Sequence, residues 1–147
     1  MSELNSKTTK DLRTVIHCLP IDPRTNRIVL ILSKRDEDAE WSFPNEFKDQ
    51  DDIDDKNDDI LSRITGEQVG ISGPIIGNLG QVFECDENNQ PIIQHLFYEL
   101  QIDEIAKKWP WKKDKHRRWF TLEQAEDALE YDDFYLEAIR NSSLVAV

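Results

Sequence analysis

The sequence RITGEQVG, from Arg63 to Gly70, has the outline of a metal-binding helix. Side chains three and four positions apart share one face of a helix, so positions 64, 67 and 68 form one patch. Three carboxylates in such a patch could hold Mg²⁺, which prefers oxygen ligands. Here the patch is Ile64, Glu67 and Gln68, so one carboxylate and one neutral amide remain.

An amphipathic helix is predicted around this stretch. Apolar side chains recur at spacings near three and four residues, at Ile60, Leu61, Ile64 and Val69. An aspartate-rich solvated loop, residues 49–59, leads into the helix, and Asp54 or Asp55 is expected to cap it. Gly70 suits the left-handed residue that closes a helix.

The rest of the chain alternates apolar runs with turn signals, which predicts an α+β domain with a curved sheet. Two β-hairpins are expected, because strand-like runs flank turns rich in Asp, Asn and Pro. The predicted strands are residues 13–19, 27–33, 75–84, 92–102 and 118–120, with a short extended segment at 41–44. The predicted helical segments are a turn at 103–109 and helices over 122–131, opened by a capping box at Thr121, and 133–141.

The length of 147 residues fits one domain, expected over residues 12–143 between a flexible tail at 1–11 and a short tail at 144–147. Hydrophobic residues make up 38% and charged residues 33%, which favours a folded and very soluble protein. The net charge of −12 argues against binding nucleic acid or anionic membranes through the overall field. No apolar run approaches the roughly 20 residues that span a bilayer, and the N-terminus is too polar for a signal peptide.

Charge is spread unevenly along the chain. Seven aspartates lie within residues 49–59, whereas lysines and arginines crowd residues 107–118, KKWPWKKDKHRR. An anionic ligand would have to use this basic segment. Trp109 and Trp111 within it would also suit a protein interface, where aromatic anchors dominate. The segment is therefore a solvated face, a phosphate site or an interface.

The cysteines and histidines show no ligand spacing. Cys18 and Cys85 are expected to be reduced, buried thiols, in a protein of the cytoplasm, the nucleus or both. His17, His95 and His116 are far apart in the sequence and are expected to be structural.

The stretch around the helix resembles the Nudix box, in which Gly, five residues, Glu and seven residues lead to Arg-Glu, two residues, Glu-Glu, one residue and Gly. The corresponding residues here, in chain order, are Asp49, Asp55, Arg63, Ile64, Glu67, Gln68 and Gly70. Trp41-Ser-Phe-Pro44 resembles the Trp-x-x-Pro that precedes the box. Ile64 and Gln68 thus replace two of the glutamates, and the box is degenerate.

Segments outside the box resemble one branch of the Nudix family, the diphosphoinositol polyphosphate phosphohydrolases, especially their fungal forms. The resemblance spans residues 12–143 and follows chain order, through residues 13–18, 78–82, 97–100, 115–120 and 123–125. It implies the Nudix fold, an α/β/α sandwich of a curved mixed sheet with the Nudix helix and C-terminal helices. It also implies Mg²⁺-dependent cleavage of phosphoanhydrides in diphosphoinositol polyphosphates or diadenosine polyphosphates.

The resemblance also implies ligand-binding residues. Lys115 and Arg117 fall on basic positions that contact ligand phosphates. Ser33, Lys34 and Arg35 lie near a Ser-rich basic loop that follows the second strand.

Metal and catalytic roles fall on few residues by the same resemblance. Glu67 would be the surviving catalytic carboxylate, with Gln68 and Asp55 as further Mg²⁺ ligands and Arg63 in structural support. Asn45-Glu-Phe-Lys48 replaces the glycine-rich phosphate cradle after Trp-x-x-Pro, which removes close backbone approach and adds a carboxylate.

Two functions from different classes remain open. In the first, the chain is a pseudoenzyme that binds a phosphate-rich small molecule, or a protein partner through its acidic loop or its Trp-rich basic segment. In the second, it is an active Mg²⁺-dependent pyrophosphohydrolase that uses Glu67 with substitute aspartates. The first is favoured, because losing one well-placed charge-stabilising group typically costs about 10²–10³ in rate. On this interpretation Ile64 is packed, and Arg63 forms a surface ion pair with Glu67.

Overall fold

The computed structural model describes residues 12–48 and 56–144. Its strands are β1 (Arg13–Asp22), β2 (Arg27–Ser33), β3 (Asn45–Lys48), β4 (Ile71–Ser72), β5 (Ile75–Cys85), β6 (Pro91–Gln101), β7 (Glu104–Ile105) and β8 (Lys115–Phe120). Its helices are α1 (Asn57–Val69), α2 (Leu122–Ala128) and α3 (Asp133–Arg140). No helix within these residues is long and apolar enough to cross a membrane.

Six strands form one mixed sheet in the order β5-β6-β1-β2-β8, with β3 paired to β1. β1 runs parallel to β6, and the other pairings are antiparallel. The predicted hairpins are both confirmed, but β1 and β2 pair only beside their turn, at Ile21–Ile28 and Asp22–Arg27. They separate because β3 takes the same edge of β1 from Thr14 to His17.

Helices cover both faces of the sheet, which confirms the predicted α/β/α arrangement. α1 packs on one face over an apolar cluster that includes Ile16, Cys18, Val29, Ile31, Leu61, Ile64 and Leu100. α2 and α3 pack on the other face over a cluster that includes Leu19, Leu30, Phe43, Phe97, Ala125, Tyr135 and Ile139. Burial of Cys18 is confirmed, whereas the predicted burial of Cys85 is wrong, because Cys85 lies exposed at the end of β5.

The ends of α1 follow the sequence in part. Lys56 occupies the N-cap position and makes no side-chain cap bond. Asp54 and Asp55, which were predicted to cap the helix, lie outside the described residues. Gly70 closes the helix as predicted, with φ of 66° and its N–H donating to the carbonyl of Thr65.

The segment after β6 departs most from the predicted elements. The prediction of a helical turn at 103–109 is wrong, because Glu104 and Ile105 form β7. This strand pairs with β4 through Ile71–Ile105 and Ser72–Glu104. The backbone N–H and C=O groups of β7 therefore pair with β4, which lies more than thirty residues earlier in the chain. The local pattern contains no sign of that partner.

The C-terminal elements differ from prediction mainly at their ends. β8 begins at Lys115 rather than 118, because it pairs with β2 along its whole length. The capping box at Thr121 and Gln124 is confirmed, but α2 ends at Ala128 rather than 131. Leu144, expected in the tail, is buried against the cluster beneath α2 and α3. The remaining tail positions, 1–11 and 145–147, lie outside the described residues.

Candidate functional site

Helix α1 turns two of its three patch positions toward the sheet. Ile64 is 0% and Gln68 is 1% exposed, whereas Arg63 is exposed and Glu67 is half-buried. The predicted packing of Ile64 is confirmed, since it belongs to the apolar cluster beneath α1. Glu67 is therefore the one carboxylate that this patch presents near the surface.

The amide of Gln68 is used by the backbone of β3. Its Nε2 donates to the carbonyl oxygen of Asn45 at 2.8 Å, and its Oε1 accepts from the N–H of Asn45 at 3.4 Å. Asn45 follows Pro44, so this pair ties the start of β3 to the last turn of α1. A carboxylate cannot donate to the Asn45 carbonyl, and it would face that oxygen with an oxygen unless a proton or a cation lay between them. The contact therefore suits a glutamine and disfavours a glutamate.

Arg63 reaches β3 instead of the next turn of its own helix. Its Nη2 lies 3.5 Å from Oε1 of Glu46, so the predicted ion pair with Glu67 is wrong. Both partners are partly exposed, and such pairs contribute about 0.2–1 kcal/mol. Glu46 is the carboxylate that the Asn45–Lys48 segment adds, and Arg63 holds it beside α1.

The described residues of this face do not fit a Mg²⁺ ion. Ile64 has no ligand atom, the amide of Gln68 holds the Asn45 backbone, and Glu67 alone offers a carboxylate. Within residues 12–48 and 56–144, no three His, Cys, Asp or Glu side chains are grouped closely enough to hold a metal ion. Asp55, the other predicted ligand, lies outside the described residues.

The structure brings four of the five predicted phosphate-binding residues to one end of β2 and β8. Ser33 and Lys115 are paired residues of the ladder. The N–H of Lys34 donates to the carbonyl of Asp114 at 3.0 Å, and Nη2 of Arg35 lies 2.7 Å from Oδ1 of Asp114. Arg35 is exposed, so this ion pair leaves most of its five donors available.

The loop between β7 and β8 forms one wall of this basic end. Nζ of Lys34 donates to the carbonyl of Lys112 at 2.9 Å. Nζ of Lys115 lies 5.9 Å from the ring centroid of Trp111, and the N–H of Trp111 donates to the carbonyl of Glu67 at 2.9 Å. The basic end therefore lies beside the last turn of α1.

Arg117, the fifth predicted phosphate-binding residue, has a different contact. Its Nη1 donates to the carbonyl of Val69 at 2.7 Å, in the last turn of α1. Its guanidinium lies 3.9 Å from the ring centroid of Trp109. A cation at this position pairs with a carbonyl that has no partner within the helix, and its charge offsets the negative end of the helix dipole. Arg117 thus stabilises the end of α1.

A partly buried chain of polar side chains on the opposite face was not predicted from the sequence. Nε2 of His17 lies 2.8 Å from Nδ1 of His95, and Nδ1 of His17 lies 3.3 Å from the hydroxyl of Tyr135. Nε2 of His95 lies 3.2 Å from a carboxylate oxygen of Glu84. Burial, together with the nearby His95, lowers the pKa of His17 to about 3. The structural role expected for both histidines fits these contacts, but only the β1–β6 register, Val15 opposite His95, brings them together.

No protein-family model matches the chain. Among solved structures, a NUDIX hydrolase from Nitrosomonas europaea matches with a TM-score of 0.71 at 10% identity, over 88% of this chain and 86% of that one. The E. coli ORF135 protein matches with a TM-score of 0.64 at 14% identity, over 89% of this chain and 88% of that one. The fold is therefore that of the Nudix hydrolases, as predicted. The resemblance to the diphosphoinositol polyphosphate branch stays a prediction, because a shared fold at such identities does not define an activity.

Proposed function

We propose that this chain is a Nudix-fold pseudoenzyme that binds a phosphate-rich small molecule without hydrolysing it efficiently. The observation that carries the proposal is the amide of Gln68, which pairs with both backbone groups of Asn45 where a metal-binding helix would need a carboxylate. Ile64, buried beside it, supplies no ligand atom. Glu67 alone is a poor Mg²⁺ site, because Mg²⁺ requires an octahedral set of oxygen ligands.

The basic end of β2 and β8 supports the binding part of the proposal. Lys115 in β8 and Lys34 and Arg35 in the loop after β2 converge there, beside the last turn of α1. Lysine provides point charges and arginine provides a planar fork of donors, and both suit phosphate oxygens. Because the whole chain has a net charge of −12, an anion would be attracted to this basic cluster and repelled by most of the remaining surface.

A protein partner at the Trp-rich basic segment is less well supported. Trp109 and Trp111 are half-buried. Trp109 is covered by the guanidinium of Arg117 at 3.9 Å, and the backbone of Trp111 bonds to α1. The ring of Trp109 therefore serves internal packing, which reduces its value as an anchor for another protein.

The alternative is an active Mg²⁺-dependent pyrophosphohydrolase. It would rely on Glu67 and on aspartates of the loop that includes Asp55, a segment outside the described residues. Phosphate release separates the two functions, measured with Mg²⁺ on a diphosphoinositol polyphosphate and on a diadenosine polyphosphate. The proposal predicts no release above that of the Glu67→Gln variant. Release that Glu67→Gln abolishes would establish the enzyme instead.

Ligand binding is tested separately, with the same compounds and with EDTA present. Lys115→Met is expected to weaken binding by about tenfold or more, the effect of roughly 1.5 kcal/mol or more from a charge-assisted contact. Arg24→Met is the matched control, because it removes an equal charge from the exposed turn at the other end of β2. Equal losses in the two variants, or no binding by the wild type, would contradict the assigned surface.

A further inference from the structure

A pocket lies on the sheet face opposite α1. It encloses about 220 Å³ between the loop after β2 and the turn that joins α2 to α3. Trp41 and Leu129 form its apolar wall, and the carboxylates of Glu40 and Asp132 also line it. Tyr131 stands at its edge with 88% of its surface exposed. None of these residues belongs to the α1 patch or to the basic end.

The surroundings of this pocket are strongly acidic. Residues 36–40 carry four carboxylates and residues 126–133 carry five, and neither segment contains a lysine or an arginine. No basic side chain within residues 12–48 and 56–144 lies at ion-pair distance from these carboxylates. One oxygen of Asp132 accepts from the N–H of Tyr135 at 3.1 Å as the cap of α3, which leaves its other oxygen for a ligand. The carboxylates therefore make the pocket negative, and Arg118, whose guanidinium lies over the Trp41 ring, offsets only part of that charge.

The aromatic side chains give this negative pocket a preference among cations. The face of an aromatic ring attracts a positive charge, most strongly at Trp and then Tyr. Trp41 already has a cationic partner, because the guanidinium of Arg118 lies 5.1 Å from its ring centroid, so Tyr131 is the pocket ring that is left for a second cation. Most of the Tyr131 side chain is exposed to water. A planar cation stacked on its ring would cover part of that apolar surface, which is favourable.

We propose that this pocket binds an arginine side chain from a basic segment of a partner protein. The guanidinium would stack on Tyr131 and pair with Glu40 and with the free oxygen of Asp132. Arginine fits better than lysine, because its planar group stacks on rings and forms parallel hydrogen bonds with carboxylates. The acidic segments extend on both sides of the pocket, so a peptide that carries several basic residues complements them better than a single small cation does. This site is independent of the function proposed for the α1 face.

Fluorescence anisotropy tests the proposal with a peptide of alternating arginine and serine that carries an uncharged dye. The wild-type chain is expected to bind it and to ignore a peptide in which glutamine replaces arginine. Tyr131→Ala is expected to weaken binding about fivefold, whereas Tyr131→Phe keeps the ring and the affinity. Because Tyr131 is exposed, neither variant should change the melting temperature. Amide shifts in the NMR spectrum are expected to cluster at residues 39–41 and 128–132.

A matched pair of charge variants tests whether the pocket itself, and not the overall negative charge of the chain, attracts the peptide. Glu40→Gln is expected to weaken binding by about threefold or more, whereas Glu123→Gln, an exposed carboxylate on α2 outside the pocket lining, leaves it unchanged. Equal losses in the two variants would overturn the proposal in favour of attraction by the whole molecule. It would also be overturned if Tyr131→Ala bound as well as the wild type. Tighter binding of spermine than of the peptide, with the same dependence on Tyr131, would overturn it in favour of a free polyamine.

Discussion

At the scale of single residues, the amide of Gln68 determines how the α1 patch packs against β3. Glutamine and glutamate differ by one group, yet only the amide can both donate to and accept from the backbone of Asn45. Gln68 therefore joins α1 to β3 by hydrogen bonds that need no cation. A glutamate at this position would place its negative oxygens against the Asn45 carbonyl, which is a repulsive contact.

Gln68→Glu is expected to destabilise the fold by about 1–3 kcal/mol at neutral pH, because it buries a charge and leaves the Asn45 carbonyl unpaired. Urea unfolding measures this loss. Burial raises the pKa of a carboxyl group, so the deficit should shrink as pH falls and the introduced group takes up a proton that it can donate. Gln68→Met removes the hydrogen bonds without adding charge, and its deficit should not depend on pH. A stable Gln68→Glu variant at neutral pH without metal would contradict the role assigned to the amide.

His17 supplies a second prediction at the residue scale. Its pKa in the folded chain is about 3, below the ordinary value of 6.5, so the unfolded chain binds the extra proton between these values. Stability is therefore fully present above pH 6.5 and falls as pH decreases, by up to about 1.4 kcal/mol per pH unit. His17→Gln should flatten the dependence of unfolding free energy on pH between about 5 and 6.5. His116→Gln, at an exposed position, should keep the wild-type slope, and a steep slope in His17→Gln would refute this assignment.

At the scale of elements, the C-terminal end of α1 is where several segments meet. Gly70 adopts the left-handed conformation, with Trp109 packed against it. Arg117 from β8 bonds to the carbonyl of Val69, and the loop at Trp111 bonds to Glu67. The basic end of the sheet is thereby held against the helix, so this helix end serves structure in the present chain.

Two glycine variants test the different roles of Gly66 and Gly70 in α1. Gly66→Ala should stabilise the chain by about 0.5–1 kcal/mol, because Gly66 lies within the helix and an added Cβ meets no atom within 4 Å. Gly70→Ala should destabilise it by about 1 kcal/mol or more, because φ is 66° and the Cβ would lie 3.0 Å from Trp109. Thermal unfolding of both variants measures the difference. Effects of the same sign would contradict the left-handed helix end at Gly70.

The sequence predicted the elements of this fold better than their contacts. The spacing of Ile60, Leu61 and Ile64 identified α1 and its buried face, because the pattern is local to the helix. The β4–β7 ladder was missed, since Ile71 and Ile105 pair across a long stretch of chain. At the site, the neighbours of Arg63 and Arg117 were missed for the same reason, because their partners, Glu46 and Val69, depend on tertiary packing.

At the scale of the whole molecule, charge is separated between surfaces. Basic side chains gather at the end of β2 and β8 beside α1, and carboxylates surround the pocket between the loop after β2 and the α2–α3 turn. A phosphate-rich ligand and a basic peptide would thus be received at different places. Both attractions should weaken as salt rises, because exposed charges are screened beyond about 8 Å at physiological ionic strength.

A Mg²⁺ titration followed by the melting temperature tests most directly whether the α1 face binds Mg²⁺. The comparison needs Glu67→Gln, because so acidic a chain attracts divalent cations over its whole surface. The wild type and Glu67→Gln are expected to respond alike, because no specific Mg²⁺ site on α1 should stabilise either of them. A saturable rise in the wild type that Glu67→Gln removes would show that a magnesium site survives on α1, and the chain would then not be the pseudoenzyme proposed above.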